Sequence, residues 1–200
     1  MEQSGKYVVS IANAYAPNGV EAGVPAVLTV VPNPEITVQP ESRIVTAGAG
    51  VKAVFTVKTV APPAGVTQRY VWKRNGVAID PKTNASATAA TLEVLVPDLS
   101  ATASFTVDIG HYFGTTTQQF GATVTSDPAS LTAYLKPTIT AQPTATVNPV
   151  LQGQAVTLSV TATGSEPMAY QWFLAGKAIV GATERTYAIA SAAAKDAGDY

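Results

Sequence analysis

Residues 24–40 read VPAVLTVVPNPEITVQP, and residues 127–143 read DPASLTAYLKPTITAQP. Nine of these seventeen aligned positions are identical: Pro25/Pro128, Ala26/Ala129, Leu28/Leu131, Thr29/Thr132, Pro34/Pro137, Ile36/Ile139, Thr37/Thr140, Gln39/Gln142 and Pro40/Pro143. A self-match offset by 103 positions in a chain of 200 residues signals tandem copies of one unit, not a single large fold. Each copy carries a tryptophan in a matching frame, Tyr70-Val71-Trp72 and Tyr170-Gln171-Trp172.

A unit of roughly a hundred residues can bury a sufficient core without covalent staples. That matters because the chain has no cysteine, which excludes disulfides, thiolate metal sites and cysteine nucleophiles. Charged residues make up only 12% of the chain, while Ala, Thr and Val dominate. Thr and Val suit a pleated sheet because their branched side chains pack well on it. The net charge is −1 and Lys and Arg are scattered, so no basic stripe is present to neutralise phosphates and no nucleic-acid partner is expected. No apolar run approaches the ~18 residues of a membrane span, so membrane insertion is not expected. The opening Met1–Tyr7 lacks the basic and apolar regions of a signal peptide. A fragment, or a virion protein released by lysis, would read the same way.

Short alternating segments recur along both copies. Residues 34–40, 51–59, 69–74, 77–79, 91–96, 104–110, 118–125 and 130–135 read as strands, with a turn at Asn75-Gly76. In the next copy the strands fall at 137–143, 155–161, 169–175 and 177–180, and a further one begins at Tyr187 and Ile189. Ala190–Lys195 is Ala-rich and suits one short helical turn. No segment longer than about ten residues sustains a 3.6 period, so the class is all-β, an antiparallel sandwich in each copy.

This pattern resembles tandem, cysteine-free immunoglobulin-like domains of the I-set type found in bacterial surface proteins and tailed-phage virions. Trp172 matches the core tryptophan of strand C. Gly153 leads into strand B, where Val160 stands at a cysteine position of disulfide-bonded members. Asp196, Gly198 and Tyr200 match the tyrosine corner, whose phenol bonds back to the backbone at the E–F bend. In the copy around Trp72 the corner reads Ala101-Thr-Ala103-Ser-Phe105, so the hydroxyl is missing. The resemblance implies that Val57 packs against Val107 around Trp72 in place of a disulfide.

On the same resemblance, Gln3-Ser4-Gly5-Lys6-Tyr7 is a further corner, and residues 8–14 and 24–31 read as strands F and G. The expected organisation is therefore residues 1–33 as strands F–G of one immunoglobulin-like domain, 34–136 as a complete domain, and 137–200 as strands A–E and the start of F of another. Neither end piece buries its core alone. Two explanations stand. The chain is a window on a longer array, or the C-terminal piece of one copy accepts the N-terminal hairpin of the next in a head-to-tail fibre. Against the fibre, both pieces carry a corner, so residues 1–7 and 194–200 compete for one place.

Catalytic chemistry finds little support in the residues. His111 is the single histidine, so neither a His cluster for zinc nor a Ser-His-Asp set is available, and a solvated loop position is expected for it. Asp196 and Asp199 flank the corner, where Asp196 is expected to cap the bend. Asp98, Asp108 and Asp127 lack the spacing of a calcium loop. Gly48-Ala49-Gly50 reads as the A–B turn, and Asn84-Ala85-Ser86 is formally a glycosylation sequon. No catalytic, cofactor or metal residue is assigned.

The segment Tyr112-Phe113, followed by Phe120, gives a long F–G hairpin with aromatic residues near its tip. That end of an immunoglobulin-like sandwich often carries binding loops. Tyr112, Phe113 and Phe120 either contact a surface glycan or protein neighbour, or pack on the base of their own hairpin. The resemblance extends to phage capsid decoration proteins of the highly immunogenic outer capsid type. It implies an exposed, non-enzymatic display module on a virion, with a bacterial adhesin or extracellular fibre as the other reading. Neighbouring immunoglobulin-like domains, copies of the chain itself, virion or cell-surface proteins and surface glycans are the expected partners, in an extracellular setting.

Overall fold

The computed structural model of the chain describes all residues except 1–4, 22–23, 29 and 114–118, and for side chains also excludes 12–13, 16–21 and 120. The described strands are β1 (Gly5–Tyr7), β2 (Ser10–Asn13), β3 (Ala16–Glu21), β4 (Ala26–Leu28), β5 (Ile36–Val38), β6 (Arg43–Thr46), β7 (Lys52–Thr56), β8 (Lys58–Thr59), β9 (Val66–Arg74) and β10 (Val77–Ala78). They continue with β11 (Thr91–Leu95), β12 (Ala103–Phe113), β13 (Gln119–Thr125), β14 (Ala129–Tyr134), β15 (Thr138–Ala145), β16 (Val156–Thr163), β17 (Phe173–Leu174), β18 (Lys177–Ala178) and β19 (Thr186–Ile189). Short 3-10 turns lie at Ala85–Thr88, Leu99–Ala101 and Ala194–Asp196. The protein is all-β. By its internal contacts the chain falls into two compact units, one of Met1–Arg43, Val54–Val94 and Ala103–Leu131, the other of Ile44–Ala53, Leu95–Thr102 and Thr132–Tyr200.

The sandwich around Trp72 has one sheet in the order β10-β9-β12-β14-β6, with β13 also on β12, and faces built from β11-β7 and β5-β8. Alternation explains its core. Phe55 of β7, Phe105, Val107 and Ile109 of β12, and Leu131 of β14 are fully buried, while the residues between them face outward or lie part-buried. Trp72 faces Val107 across the β9–β12 ladder. Phe55 stacks on Phe105 with centroids 4.9 Å apart, and lies 6.4 Å from the Trp72 ring. Val57 and Val107, the expected replacements for a disulfide, are both buried. Each such large apolar side chain contributes about 1.5–3 kcal/mol on burial.

The same frame recurs around Trp172, where β16 pairs with both β15 and β19. Leu158, Trp172 and Ala182 form the buried cluster, packed by Val160, Ile179, Tyr187 and Tyr200. Trp72 Nε1 donates to the Ala89 carbonyl at 2.9 Å, and Trp172 Nε1 donates to that of Glu184 at 2.9 Å. Each indole thus meets its single hydrogen-bonding need inside an apolar core. The turns that follow also match. Asn75-Gly76 has φ of 49° and 81°, and Ala175-Gly176 has 47° and 77°.

One exchange distinguishes the two cores. The tyrosine Tyr187 on β19 lies opposite Leu158 of β16. In the other sandwich the aromatic residue sits on the partner strand, Phe55 of β7, and a leucine, Leu92, is buried on β11. Ring and aliphatic side chain have traded places, which keeps the core volume nearly constant.

The strand expected over residues 169–175 is shorter than the sequence suggests. Only Phe173–Leu174 is paired, with β18. Its counterpart β9 runs nine residues because β12 pairs along its whole length. Among the described residues, β17 has no partner on that edge. Backbone extension without a ladder partner does not make a strand.

Candidate functional site

The paired strands β12 and β13 carry the aromatic residues singled out by the sequence. Tyr112 lies opposite Thr67 of β9 and Gln119 of β13, and Arg69 sits two positions along β9 on the same face. The Arg69 guanidinium carbon lies 4.3 Å above the Tyr112 ring, a cation–π stack. The Tyr112 hydroxyl donates to Gln119 Oε1 at 3.4 Å, and Gln119 Nε2 donates to Thr123 Oγ1 at 2.7 Å. Phe113 is 45% exposed. Phe120 pairs with His111 through the backbone, while its side chain and the hairpin residues 114–118 lie outside the described residues. The result is a surface patch with a planar cation, a phenol and an amide, whereas Phe113, the next residue along β12, belongs to the opposite face of the sheet. Such a set can stack on a flat ligand and exchange hydrogen bonds at its rim.

His111 is not a solvated loop residue. It is 2% exposed and sits within β12, flanked by β9 and β13. The correction follows from strand length, since β12 continues to Phe113 and carries His111 inward past a register shift between Ile109 and His111. Its Nδ1 lies 2.9 Å from the Pro32 carbonyl oxygen, to which it donates. Beside it, Asn33 Oδ1 accepts from the Ala122 amide at 2.9 Å. Gly121 makes room for that contact: it has φ of 74°, and a Cβ there would strike Asn33 Oδ1. Farther along, Gln39 Oε1 accepts from Asp127 N at 3.0 Å.

At the corner, the Tyr200 hydroxyl donates to the Asp196 carbonyl at 2.8 Å. The Asp196 carboxylate accepts from the Ala193 amide at 3.0 Å and so caps the 3-10 turn. Gly198 has φ of 152°, and a Cβ there would press on Leu174. Tyr7 differs: it is 52% exposed rather than buried in a core, and Gln3, the residue that would supply its carbonyl by analogy, lies outside the described residues. Asn84 uses both ends of its amide, accepting from Ser86 N at 3.1 Å and donating to the Glu93 carbonyl at 2.7 Å. Among the described residues, no three His, Cys, Asp or Glu side chains gather to hold a metal ion. No helix among them is long and apolar enough to cross a membrane.

Arg69 and Gln119 escaped the sequence reading. Their signal was the register: pairing Trp72 with Val107 places Arg69 opposite Gly110, diagonal to Tyr112.

Residues 136–200 match the family model of the immunoglobulin domain. No curated protein matches the sequence. Among solved structures, a variant of three immunoglobulin domains of titin superposes with a TM-score of 0.64 at 16% identity, covering 98% of this chain and 67% of that one. Immunoglobulin domains 1–5 of Sidekick-1 give 0.59 at 19% identity, covering 98% of this chain and 42% of that one. The amphioxus IgVJ-C2 molecule gives 0.51 at 14% identity, covering 76% and 87%. These identities speak to fold alone. The chain thus has the fold of tandem immunoglobulin-like β-sandwiches, built without a disulfide. Fold by itself does not name a task.

Proposed function

We propose that the chain is a non-enzymatic display module of an exposed surface, a capsid or tail decoration of a phage virion that makes weak contacts with host-surface glycans. The observation that carries the binding role is the Arg69–Tyr112 stack with the Gln119 amide beside it. An aromatic face next to a fixed cation and an amide offers a sugar ring both stacking and hydrogen bonds. The virion setting is supported by the strand pattern and the Ser130-Leu131-Thr132 strand, which resemble those of phage capsid decoration domains. A second reading, an adhesin or extracellular fibre of a bacterial surface, uses the same modules and the same patch.

Binding of the labelled chain to immobilised bacterial surface polysaccharides tests the glycan contact. Saturable binding that Tyr112→Ala and Arg69→Ala each weaken at least fivefold is expected; equal binding by all three proteins sinks it. Immunogold labelling of the source culture separates the settings. Gold on phage particles supports the virion, and gold on cell envelopes supports the bacterial reading.

A further inference from the structure

We propose that the patch around Arg69 and Tyr112 selects carboxylate-bearing sugars, the acidic units of a uronate polysaccharide, over neutral ones. The inference rests on the reading of that patch as a glycan contact and names the ligand chemistry it takes. Charged residues are only 12% of the chain, so the place of each charge is informative. Arg69 of β9 lies opposite Gly110 of β12. Residues 59–68 lead into β9, and residues 109–126 supply the end of β12 and all of β13. Neither stretch contains a Lys, Arg, Asp or Glu. The strand segments around Arg69 therefore bring no carboxylate to balance it.

The carboxylate farther along the same face is committed to another partner. Alternation places Arg69, Val71 and Lys73 of β9 on one face with Asp108, Gly110 and Tyr112 of β12. Asp108 lies opposite Val71, diagonal to both cations. Its Oδ2 is 2.5 Å from Lys73 Nζ, and its Oδ1 accepts from Thr125 Oγ1 at 2.8 Å. Arg69 turns the other way, onto the Tyr112 ring. Along β9, β12 and β13 this face thus holds two cations and one carboxylate, and the excess positive charge lies at the Tyr112 end.

The geometry at that end suits an anion with two oxygens. Stacking engages the flat face of the guanidinium, while its N–H groups lie in the plane of the group and match a carboxylate in pairs. The ring beneath is held in place. Gly110 is buried, and a Cβ there would lie 3.3 Å from both Gln119 Oε1 and Tyr112 Cε2. Tyr112 and Gln119 thus close over bare backbone, which leaves little freedom to lose on binding. The Tyr112 hydroxyl gives its proton to Gln119 and keeps lone pairs that accept from a sugar hydroxyl. A neutral sugar can use the ring and the phenol, and only a charged one also gains the ionic attraction of Arg69.

Equilibrium binding of the chain to polygalacturonate and to its fully methyl-esterified form tests this, because the two polymers differ in charge at every carboxyl. Binding to the acid is expected to be about tenfold tighter. The gap is expected to close near about 1 M salt, where the screening length falls to about 3 Å. Arg69→Gln is expected to bind both forms equally. Lys177→Gln removes the same charge from β18, in the sandwich around Trp172, and is expected to keep the preference. Asp108→Asn releases Lys73 and is expected to tighten binding to the acid about two- to threefold, with binding to the ester unchanged. Equal binding of acid and ester by the unaltered chain overturns the proposal and leaves the glycan reading standing. A preference that survives Arg69→Gln, or that Lys177→Gln also abolishes, overturns it too, since the charge is then read elsewhere or by the molecule as a whole. Tighter binding to dextran sulfate than to polygalacturonate assigns the site to sulfate and overturns the carboxylate. Binding to none of these polymers overturns the proposal as well, and the assay on bacterial polysaccharides then decides the glycan reading separately.

Discussion

The ring of Phe105 lies on the ring of Phe55, centroids 4.9 Å apart and planes inclined by 29°, at the bend where the sandwich around Trp172 uses a tyrosine hydroxyl instead. The stack replaces a directional bond with buried area. Phe105→Ala is accordingly expected to lower stability by about 3–5 kcal/mol, since it removes a fully buried ring and leaves a cavity. Urea denaturation of the variant checks this; a loss below 1 kcal/mol would show that the stack is dispensable.

Tyr200 should respond to pH where Phe105 cannot. Burial lifts its phenol above the ordinary value of 10.0, and the nearby charges of Asp196 and Tyr187 push the same way. The neutral form is the one the fold favours, so its contribution is complete below pH 10.0 and is lost as pH rises through the higher folded value. Tyr200→Phe should flatten that alkaline decline and cost about 0.5–1.5 kcal/mol near neutrality through the lost bond to Asp196. Thermal melts from pH 7 to 11 provide the comparison, and an unchanged alkaline slope would contradict it.

Ala175 holds a left-handed conformation that alanine disfavours, whereas Asn75 holds the same conformation with a residue suited to it. Asn75 Oδ1 also accepts from the Ser104 amide at 2.9 Å. Ala175→Asn is expected to stabilise the sandwich around Trp172 by about 1 kcal/mol, and Asn75→Ala to destabilise the other by about 1–2 kcal/mol. Opposite signs in paired denaturation curves are the outcome to look for.

Gly121→Ala should disturb the segment at Pro32–Asn33 without touching an apolar core. A methyl group there must displace the Asn33 side chain from the Ala122 amide and also strain a left-handed backbone. A stability loss of about 1–2 kcal/mol is expected. Faster amide exchange at Ala122 is expected with it, and unchanged exchange would show that the Asn33 contact holds nothing in place.

The two tryptophans, the alternating strands and the corner at Tyr200 were legible because each depends on local spacing. The burial of His111 was not. It depends on how far β12 continues and on the Pro32 carbonyl, 79 positions away, arriving beside it. Residues 169–172 misled for a related reason. Their composition is that of a strand, but strand formation also requires a neighbour, and the sequence of a segment carries no record of whether one is present. The Arg69–Tyr112 stack lies between these cases. Its residues were visible, and a cross-strand register was needed to bring them together.

The exchange of ring and aliphatic side chain between the two cores has a consequence for folding. Sister modules of the same fold can capture each other's segments while both are still unfolded. Here such a hybrid is mismatched at its centre. β7 joined to β19 would set Phe55 against Tyr187, two rings in the space of one. β16 joined to β11 would set Leu158 against Leu92 and leave a void. Either error is penalised by overcrowding or by emptiness. Placing the ring on opposite strands therefore acts as a proofreading mark, letting each module recognise its own half.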